Sequence, residues 1–385
     1  MQFRLPAMTM FATAVLVAGD VRGQNAGKIS DSQKHLGRWR HAGDMSERRE
    51  YGGGVRLKDG RILAVSGHPL DGKSIASTEL FDPATGKWSN TGSLRQARNS
   101  GNSATLLQDG RVLLAGGHSN TEVIRGADLY DPATGKWSDA GLLSVGRDPV
   151  ATRLADGRVL VAGGIDWYTD NGKVYAVAEI YDPAAGKWTP TGSLTAPRYQ
   201  QQATLLDDGR VLAVGGYRDQ NADTLIAGSE LYDPATGQWQ ESGELPLARA
   251  WFGQVKLNDG RVLVVGGYTG RSRKRTYLSS AAIYDPKSGR WSDTEPMKAA
   301  RGGFSIARLP DGQVLVAGGV AEGGLELKTA ELFDPSTQSW RTAAPMKVAR
   351  RNHRAAVLPD GGVLVIGGSS VFGSKFLNSC EIFSL

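Results

Sequence analysis

The stretch LQDGRVLLAGG (Leu107–Gly117) decides the fold, because it places an Asp-Gly pair between two apolar runs. The sequence repeats this pattern seven times, with Asp-Gly pairs at 59–60, 109–110, 156–157, 208–209, 259–260, 311–312 and 360–361. Asp-Gly between apolar runs is typical of a β-hairpin, and a type I′ turn needs positive φ at both central residues. Each unit is therefore predicted to contain two antiparallel strands joined by a tight type I′ turn.

A third and a fourth strand are predicted in each unit. The third strand ends in an aromatic residue at Phe81, Tyr130, Tyr181, Tyr232, Tyr284, Phe333 and Phe383. After six of these comes an Asp-Pro turn, such as Asp82-Pro83-Ala84-Thr85-Gly86, in which Pro presets φ and Gly relieves a left-handed position. The fourth strand begins at a Trp seven residues after the aromatic residue, at Trp88, Trp137, Trp188, Trp239, Trp291 and Trp340. Four short strands in a unit of about fifty residues indicate a propeller blade.

The two ends of the chain predict how the ring closes. Trp39 stands in LGRWRHAGDM, which is similar to the fourth-strand stretch GKWSNTGSL, but three strands of its own are missing before it. The last unit stops at Phe383, a third strand with no Trp after it. We therefore predict an all-β, seven-bladed propeller closed by an N-terminal outer strand that completes the last blade. Such closure removes an open sheet edge.

A Gly-Gly pair, a later aromatic residue and a Trp seven residues beyond it resemble the kelch repeat. The pairs are 116–117, 163–164, 215–216, 266–267, 318–319 and 367–368, and the first blade departs from the pattern with Ser66-Gly67. The DPATGKW turns look most like those of secreted bacterial kelch proteins. The resemblance implies a propeller fold, which hosts binding modules and enzymes alike.

The N-terminus predicts export. Arg4 precedes an apolar run, Met8–Gly19, whose length suits a signal peptide and is too short for a membrane-spanning helix. We expect a signal peptide at 1–23, a polar linker at 24–35 and the propeller at 36–385. The protein is expected to be secreted or periplasmic, with no membrane span.

Composition narrows the partners and the chemistry. The net charge of +6 is modest, so nucleic acid is not an expected partner, and export argues against it as well. Cys380 is the only cysteine, which excludes an intrachain disulfide and a multi-cysteine metal site. We expect a monomer with no cofactor and no metal.

An arginine recurs ten residues after each Trp, at Arg49, Arg98, Arg147, Arg198, Arg249, Arg301 and Arg350. Two interpretations are open. The arginines form a funnel for anions, or each one stabilises its own blade by pairing with third-strand acids at Glu79, Glu179, Glu230, Glu331 and Glu381.

Function is expected where the blades differ, on the face shared by the loop that enters the inner strand and the loop that leaves the second strand. This face is rich in aromatic, imidazole, amide and guanidinium groups, which suit a sugar-like ligand. The candidate ligand-binding residues are Tyr51, His68, Asn99, His118, Asp148, Tyr199, Gln200, Tyr217, Arg218, Trp251, Tyr268, Arg351 and His353.

Two further features stay open at this point. His353, His68 and His118 belong to consecutive blades, so a three-histidine metal site or an acid–base role for one of them is an alternative. The run Arg271-Ser272-Arg273-Lys274-Arg275 would draw an acidic polymer towards the face, or is a solvated loop.

The first functional hypothesis is a module that binds a carbohydrate, an anionic glycan or a protein partner. The alternative is a carbohydrate-active enzyme, a polysaccharide lyase or a sugar isomerase or mutarotase, that uses Tyr, His and Arg of this face. Some seven-bladed propellers that resemble this architecture are polysaccharide lyases, whereas the sialic-acid mutarotases among exported kelch proteins look six-bladed. Galactose oxidase is a third comparison. Its copper site needs a tyrosine cross-linked to a cysteine, and Cys380 is predicted to lie on a third strand, far from the axis.

Overall fold

The computed structural model describes residues 36–385 except 69–72, 100–102, 170–171, 222, 272–273 and 372. The predicted signal peptide and linker fall on residues 1–35, which lie outside the described residues. Within the described part, the chain consists of short antiparallel strands and one 3-10 helix, Glu322–Gly324.

Seven sheets of at least four strands follow one another along the described chain. The first strand is β1 (Arg38–Asp44). Blade 1 contains β2 (Gly53–Arg56), β3 (Ile62–Val65), β4 (Thr78–Asp82) and β5 (Lys87–Thr91). Blade 2 contains β6 (Ala104–Leu106), β7 (Val112–Ala115), β8 (Gly126–Asp131) and β9 (Lys136–Leu142). Blade 3 contains β10 (Asp148–Arg153), β11 (Val159–Asp166), β12 (Lys173–Val174), β13 (Ala178–Asp182) and β14 (Lys187–Thr191).

The remaining blades follow the same order. Blade 4 contains β15 (Gln202–Leu205), β16 (Val211–Val214), β17 (Gly228–Asp233) and β18 (Gln238–Glu244). Blade 5 contains β19 (Gly253–Lys256), β20 (Val262–Val265), a hairpin of β21 (Tyr268–Arg271) and β22 (Lys274–Tyr277), then β23 (Ala281–Asp285) and β24 (Arg290–Thr294). Blade 6 contains β25 (Ser305–Arg308), β26 (Val314–Ala317), β27 (Ala330–Asp334) and β28 (Ser339–Ala343). Blade 7 contains β29 (Arg354–Val357), β30 (Val363–Ile366), a small hairpin of β31 (Ser369–Ser370) and β32 (Lys375–Phe376), and β33 (Ser379–Ser384).

The ring closes as predicted. Strand β1 pairs antiparallel with β33 and supplies the outer strand of blade 7, with Trp39 opposite Phe383. The all-β, seven-bladed architecture is therefore confirmed. The N-terminal strand thereby gives the last blade the four strands of a complete blade.

The predicted type I′ turn at Asp-Gly is wrong. In blade 1 the Leu57 N–H donates to the Arg61 carbonyl (2.8 Å) and the Gly60 N–H donates to the Leu57 carbonyl (3.1 Å), so the loop has three residues. Gly60 has positive φ (90°), whereas Asp59 is absent from the residues with positive φ. This is the type I turn followed by a left-handed Gly that closes three-residue hairpins. Asp59 accepts from the Arg61 backbone N–H (3.0 Å) and Arg61 Nε (2.8 Å), which fixes the turn.

The core lies between adjacent blades. In one such layer Val159 and Val161 of β11 pack with Leu113 and Ala115 of β7. The repeated tryptophans join the same layers, and Trp188 Nε1 donates to the Ala140 carbonyl of the preceding blade (2.7 Å). Because each sheet buries both faces against its neighbours, the inner strands are held rigidly around the axis.

The repeated arginines stabilise their own blades. Six of them make buried ion pairs with a third-strand acid at 2.5–3.0 Å: Arg49–Glu79, Arg98–Asp128, Arg147–Glu179, Arg198–Glu230, Arg301–Glu331 and Arg350–Glu381. The anion-funnel interpretation is wrong, because all seven guanidinium groups are buried away from solvent. The sequence-based pairing missed Asp128, whose shorter side chain still reaches Arg98.

Arg249 is the exception, since Ala282 occupies the place of the acid in blade 5. Arg249 donates to the carbonyls of Gly266 (3.2 Å) and Ser280 (3.0 Å). Burial lowers the pKa of Arg249 to about 10. This blade therefore holds a buried cation with no paired carboxylate.

The described part of the chain contains no helix that is long and apolar enough to cross a membrane.

Candidate functional site

The two predicted sets of loop residues meet on one face of the ring. Backbone bridges join the residue entering each inner strand to the residue leaving the second strand: Glu50 to His68, Asn99 to His118, Tyr199 to Tyr217, Ala250 to Tyr268, Gly302 to Val320 and Arg351 to Ser369. Asp148 pairs with Ile165 in the equivalent place of blade 3. We call this surface the top face.

A set of equivalent residues on the top face has left-handed backbone conformation. Each lies two residues after a repeated arginine, with φ of 53–61° at Tyr51, Gln200, Trp251, Gly303 and Asn352. Glycine adopts this conformation freely, but other residues bear a cost on the order of 1 kcal/mol. Four of the five positions nevertheless carry large or polar side chains. Such local strain is characteristic of functional sites.

Backbone hydrogen bonds join four of these residues around the axis. The Gly303 N–H donates to the Trp251 carbonyl (3.1 Å), and the Asn352 N–H donates to the Gly303 carbonyl (2.7 Å). The Tyr51 N–H then donates to the Asn352 carbonyl (3.2 Å). This chain of bonds runs from blade 5 to blade 1 and fixes the four residues relative to one another.

These residues surround a small cavity at the mouth of the ring, about 120 Å³ in volume. We call it the axial cavity. It is lined by Tyr51, Gln200, Gln202, Trp251, Phe252, Gly303, Phe304, Asn352, His353 and Arg354. Aromatic rings, amides and a guanidinium group thus converge on one place.

Side-chain hydrogen bonds hold the polar members of the cavity. Asn352 Nδ2 donates to Glu50 Oε1 (2.6 Å) and to the Tyr51 hydroxyl (2.8 Å). Trp251 Nε1 donates to Gln200 Oε1 (2.5 Å). A Cβ on Gly303 would lie 2.7 Å from Asn352 Oδ1, which explains the glycine at that position. The cavity wall is therefore organised by contacts within the protein.

The charge at the cavity comes from Arg354. Its Nε donates to the Gly52 carbonyl (2.8 Å). Burial lowers the pKa of Arg354, and the Asp148 carboxylate acts in the opposite direction. Arg351 lies beside the cavity, with Nε 3.7 Å from Glu326 Oε1. The site thus offers hydrogen-bond donors next to aromatic rings.

Three predicted tyrosines lie in a buried layer. Tyr199, Tyr217 and Tyr268 have 1–2% of their surface exposed and pack together behind Trp251. The hydroxyl of Tyr217 donates to that of Tyr268, and the Arg275 guanidinium lies 4.5 Å from the centre of the Tyr268 ring. Burial raises the pKa of Tyr199 and of Tyr217. These tyrosines support the site and do not line the cavity.

The three histidines do not converge. His68 stacks on Tyr51 (5.7 Å between ring centres), whereas His118 Nδ1 lies 3.5 Å from Asp148 Oδ2. Across the described ranges, no three His, Cys, Asp or Glu residues form a group that could hold a metal ion. The alternative of a three-histidine site therefore finds no support.

His353 is buried against Gly318 of the preceding blade. Phe304 and Phe252 occupy the same place against Gly266 and Gly215. Burial, together with the charges of nearby arginines, lowers the pKa of His353 well below its usual range. This histidine is a neutral packing residue that also forms one wall of the cavity, and it is poorly suited to the acid–base role kept open above.

Other predicted residues lie further out. Asn99 is buried beside His118, and Arg218 is exposed on the flank of blade 4. The basic run forms the hairpin β21–β22, where Arg271 and Lys274 are exposed and residues 272–273 lie outside the described residues.

Sequence reasoning left six cavity residues out of the candidate set: the polar residues Asn352, Gln202 and Arg354, together with Phe252, Gly303 and Phe304. A usable signal was present, because Asn352 has the same offset from its blade's arginine as Tyr51, Gln200 and Trp251. Gln202 and Arg354 each lie four residues after the repeated arginine of their blade, two residues beyond Gln200 and Asn352. Side chains alternate between the two sides of a strand, so residues two apart in the sequence are expected on the same side.

Comparison with known proteins agrees with this architecture. The Kelch motif matches residues 258–298 and 309–347, in blades 5 and 6. Kelch-like protein 40 of Mus musculus is 31% identical over 171 residues, which cover 43% of this chain and 26% of that protein. Beta-scruin of Limulus polyphemus is 28% identical over 145 residues, covering 37% of this chain and 15% of that protein. The chain thus spans about a quarter or less of the length of these two relatives.

A solved structure shares the fold. It is described as a fungal alcohol oxidase of the AA5 family in complex with copper, and it superimposes with a TM-score of 0.71 at 20% identity, over 91% of this chain and 76% of that one. At this identity the likeness shows the fold alone. Among the described residues of this chain, no three His, Cys, Asp or Glu residues form a group that could hold a metal ion, and Cys380 lies buried in β33.

Proposed function

We propose that this propeller, whose Kelch motifs and relatives support its placement among the kelch-repeat proteins, is an exported binding module that takes a carbohydrate at the axial cavity. The left-handed conformation of Tyr51, Gln200 and Trp251 carries the proposal. Folding alone favours glycine there, as at Gly303 in blade 6. Retention of large side chains at a conformational cost is expected where they serve a ligand.

The chemistry of the cavity supports a sugar. The rings of Tyr51 and Trp251 lie at 71° to each other, with centres 6.3 Å apart, and present apolar faces next to amide groups. Sugars combine apolar ring faces with hydroxyl groups, so they need aromatic surface and hydrogen-bonding groups together. Arg354 adds a charged donor that suits a hydroxyl or a carboxylate.

A binding role fits these residues better than catalysis. Burial raises the pKa of Tyr51, Tyr199 and Tyr217, so these hydroxyls stay protonated at neutral pH and are poor bases. His353, a candidate for proton transfer, is buried as a packing residue. Neither these tyrosines nor His353 is therefore a poised proton acceptor of the kind that the lyase and mutarotase alternatives need.

Export is the second part of the proposal and rests on Arg4 and the apolar run Met8–Gly19. Expression of the full chain in a bacterial host, followed by N-terminal sequencing of the periplasmic or secreted product, tests it. We expect a new N-terminus close to residue 20 or 24. Retention of Met1 on cytoplasmic protein would contradict export.

The binding proposal is tested with variants that suit the left-handed backbone. Gln200→Gly and Trp251→Gly remove side chains from the cavity without adding backbone strain. Gln338→Gly is the matched control, because Gln338 has the same conformation (φ 54°) in an outer turn where other blades carry glycine.

Calorimetry with neutral and acidic mono- and oligosaccharides supplies the measurement. We expect at least one sugar to bind wild type and Gln338→Gly equally, and both cavity variants to lose about tenfold or more in affinity, about 1.4 kcal/mol. Equal affinity in all four proteins, or no binding by any sugar of the panel, would overturn the proposal.

A further inference from the structure

Two exposed aromatic side chains lie together on the top face, outside the axial cavity. Trp167 and Tyr168 follow β11 in blade 3 and expose 38% and 45% of their surface. Within the described residues, no other Trp, Tyr or Phe is exposed to this degree. We call this pair the Trp167 shelf. Exposed aromatic surface of this kind marks interaction sites more often than scaffold.

The shelf is held in place by its neighbours. The Tyr168 hydroxyl donates to the Ser119 carbonyl of blade 2 (2.6 Å), and the Tyr168 N–H donates to Asp166 Oδ1 (2.8 Å). Trp167 packs edge-on against the Tyr199 ring, with centres 5.3 Å apart at 85°. Its ring therefore has a defined orientation before any ligand arrives, which lowers the entropy cost of binding.

The shelf is continuous with the axial cavity. Tyr199, which Trp167 contacts, directly precedes Gln200 in the cavity wall. On the other side, the ring centres of Trp167 and His118 are 6.5 Å apart, and His118 Nδ1 lies 3.5 Å from Asp148 Oδ2. The Asp148 carboxylate in turn acts on Arg354 in the cavity. A single ligand lying across this part of the face would meet both places.

The size of the cavity requires such a ligand. Its volume of about 120 Å³ is well below the roughly 300–1,000 Å³ of a pocket that encloses a whole small molecule. The cavity takes the end or the edge of a ligand, and the remainder must lie over the top face. The nearby exposed aromatic surface is the shelf.

We infer that the Trp167 shelf is a second subsite, which stacks one neutral pyranose ring of an extended oligosaccharide whose end enters the axial cavity. This inference rests on the proposed function and adds the length and charge of the ligand. Asp148 and Asp166 flank the shelf, and Lys173 lies opposite Asp166 in the β11–β12 pair. The two carboxylates outnumber this one ammonium group and disfavour an acidic sugar there. Two exposed aromatic side chains are also far less than the surface that a stable protein partner needs.

The experiment compares chain lengths and variants. Calorimetry measures the affinity of the full chain for cello-, malto- and xylo-oligosaccharides of one to six units, and for oligogalacturonates of the same lengths. The variants are Trp167→Ala, Trp167→Phe, which retains a ring face, and Leu142→Ala. Leu142 is the control for loss of an exposed apolar side chain, because it is exposed on the outer strand β9 and does not line the axial cavity.

We expect affinity to rise by about tenfold or more between the monosaccharide and the longer neutral chains. Trp167→Ala should abolish the gain in affinity with chain length, while its affinity for the monosaccharide changes less than about twofold. Trp167→Phe should retain much of the gain with chain length. Leu142→Ala should match wild type throughout. The melting temperature of each variant shows whether it is folded.

The outcomes separate the two proposals. Binding that does not depend on chain length, or that Trp167→Ala leaves unchanged for the longer chains, overturns the shelf and leaves the axial cavity standing. Tighter binding of the longer oligogalacturonates than of neutral oligosaccharides of the same length also overturns the neutral charge assigned to the ligand. No binding by any sugar overturns the proposed function, and the shelf with it.

Discussion

The Glu50 carboxylate of blade 1 accepts a 2.6 Å hydrogen bond from Asn352 Nδ2 of blade 7, so the first and last blades meet at the wall of the axial cavity. Glu50 is buried and also accepts from the Ser369 hydroxyl (2.6 Å). The closure of the ring and the formation of the candidate site therefore share one contact. Disturbing this contact should affect both.

Asn352→Asp should lower the free energy of unfolding by about 2–4 kcal/mol, because it places a second carboxylate against buried Glu50. The Glu50→Gln, Asn352→Asp double variant should recover more than half of the loss, since the amide then donates to the carboxylate. Urea unfolding in a double-mutant cycle at pH 7 measures the coupling. Additive losses in the double variant would show that the two side chains do not interact.

Ala282→Glu should stabilise the protein by about 1 kcal/mol, because it supplies the carboxylate that the other six blades place beside the repeated arginine. Arg249 already holds the same carbonyl bonds as its counterparts. As the reciprocal test, Glu230→Ala should cost about 3–5 kcal/mol by leaving Arg198 buried and unpaired. A lower melting temperature for Ala282→Glu would mean that blade 5 has no room for the side chain.

His353→Phe should keep the protein folded, because phenylalanine fills the equivalent place in blades 5 and 6. His353→Ala should cost about 2 kcal/mol or more through the cavity it leaves. The lowered pKa of His353 means that the unfolded chain binds more protons below pH 6.5, so stability falls as the pH falls. Melting temperatures between pH 7 and pH 5 should show a smaller loss for His353→Phe. Equal losses would assign the acid sensitivity to other groups.

Cys380 should make the protein sensitive to alkali. Burial raises the pKa of its thiol to about 12, from an ordinary value of 9.0. Above pH 9 the unfolded chain loses this proton and the native chain retains it. The free energy of unfolding is therefore unaffected by this thiol below pH 9 and decreases by up to about 1.4 kcal/mol for each pH unit above it. Chemical unfolding of Cys380→Ala from pH 8 to pH 10 should show a flatter profile than wild type. The native thiol should also be unreactive towards a disulfide reagent, and rapid labelling would contradict its burial.

The blade count and the closure were predictable because they depend on local signals. Asp-Gly turns, Asp-Pro turns and the spacing from aromatic residue to Trp each act within a few residues, and β1 was identified by its likeness to the other fourth strands. The exact turn was not predictable in the same way. Asp-Gly suits both a type I′ turn and a left-handed Gly after a type I turn, and the strand register decides between them.

The candidate site was predictable only in part. Comparison between blades separated the variable entrance residues from the repeated arginines, and it selected Tyr51, Gln200 and Trp251. The same comparison did not separate these residues from Tyr199, Tyr217 and Tyr268. Those tyrosines lie next to them in the sequence or in the neighbouring loop, but they pack beneath the surface. Burial depends on contacts between blades that are about fifty residues apart in the chain.

The sequence by itself determined the seven blades, their strand order and the face on which the blades differ, because a repeat specifies its own fold through short-range turn and packing signals. The tertiary structure decided which side chains share a cavity. It brings Glu50 to Asn352 across 302 residues and turns Tyr51, Gln200 and Trp251 towards the axis through a left-handed backbone that no composition predicts. It also decided that the repeated arginines face inward, because only the packed blade shows the acid that pairs with six of the seven.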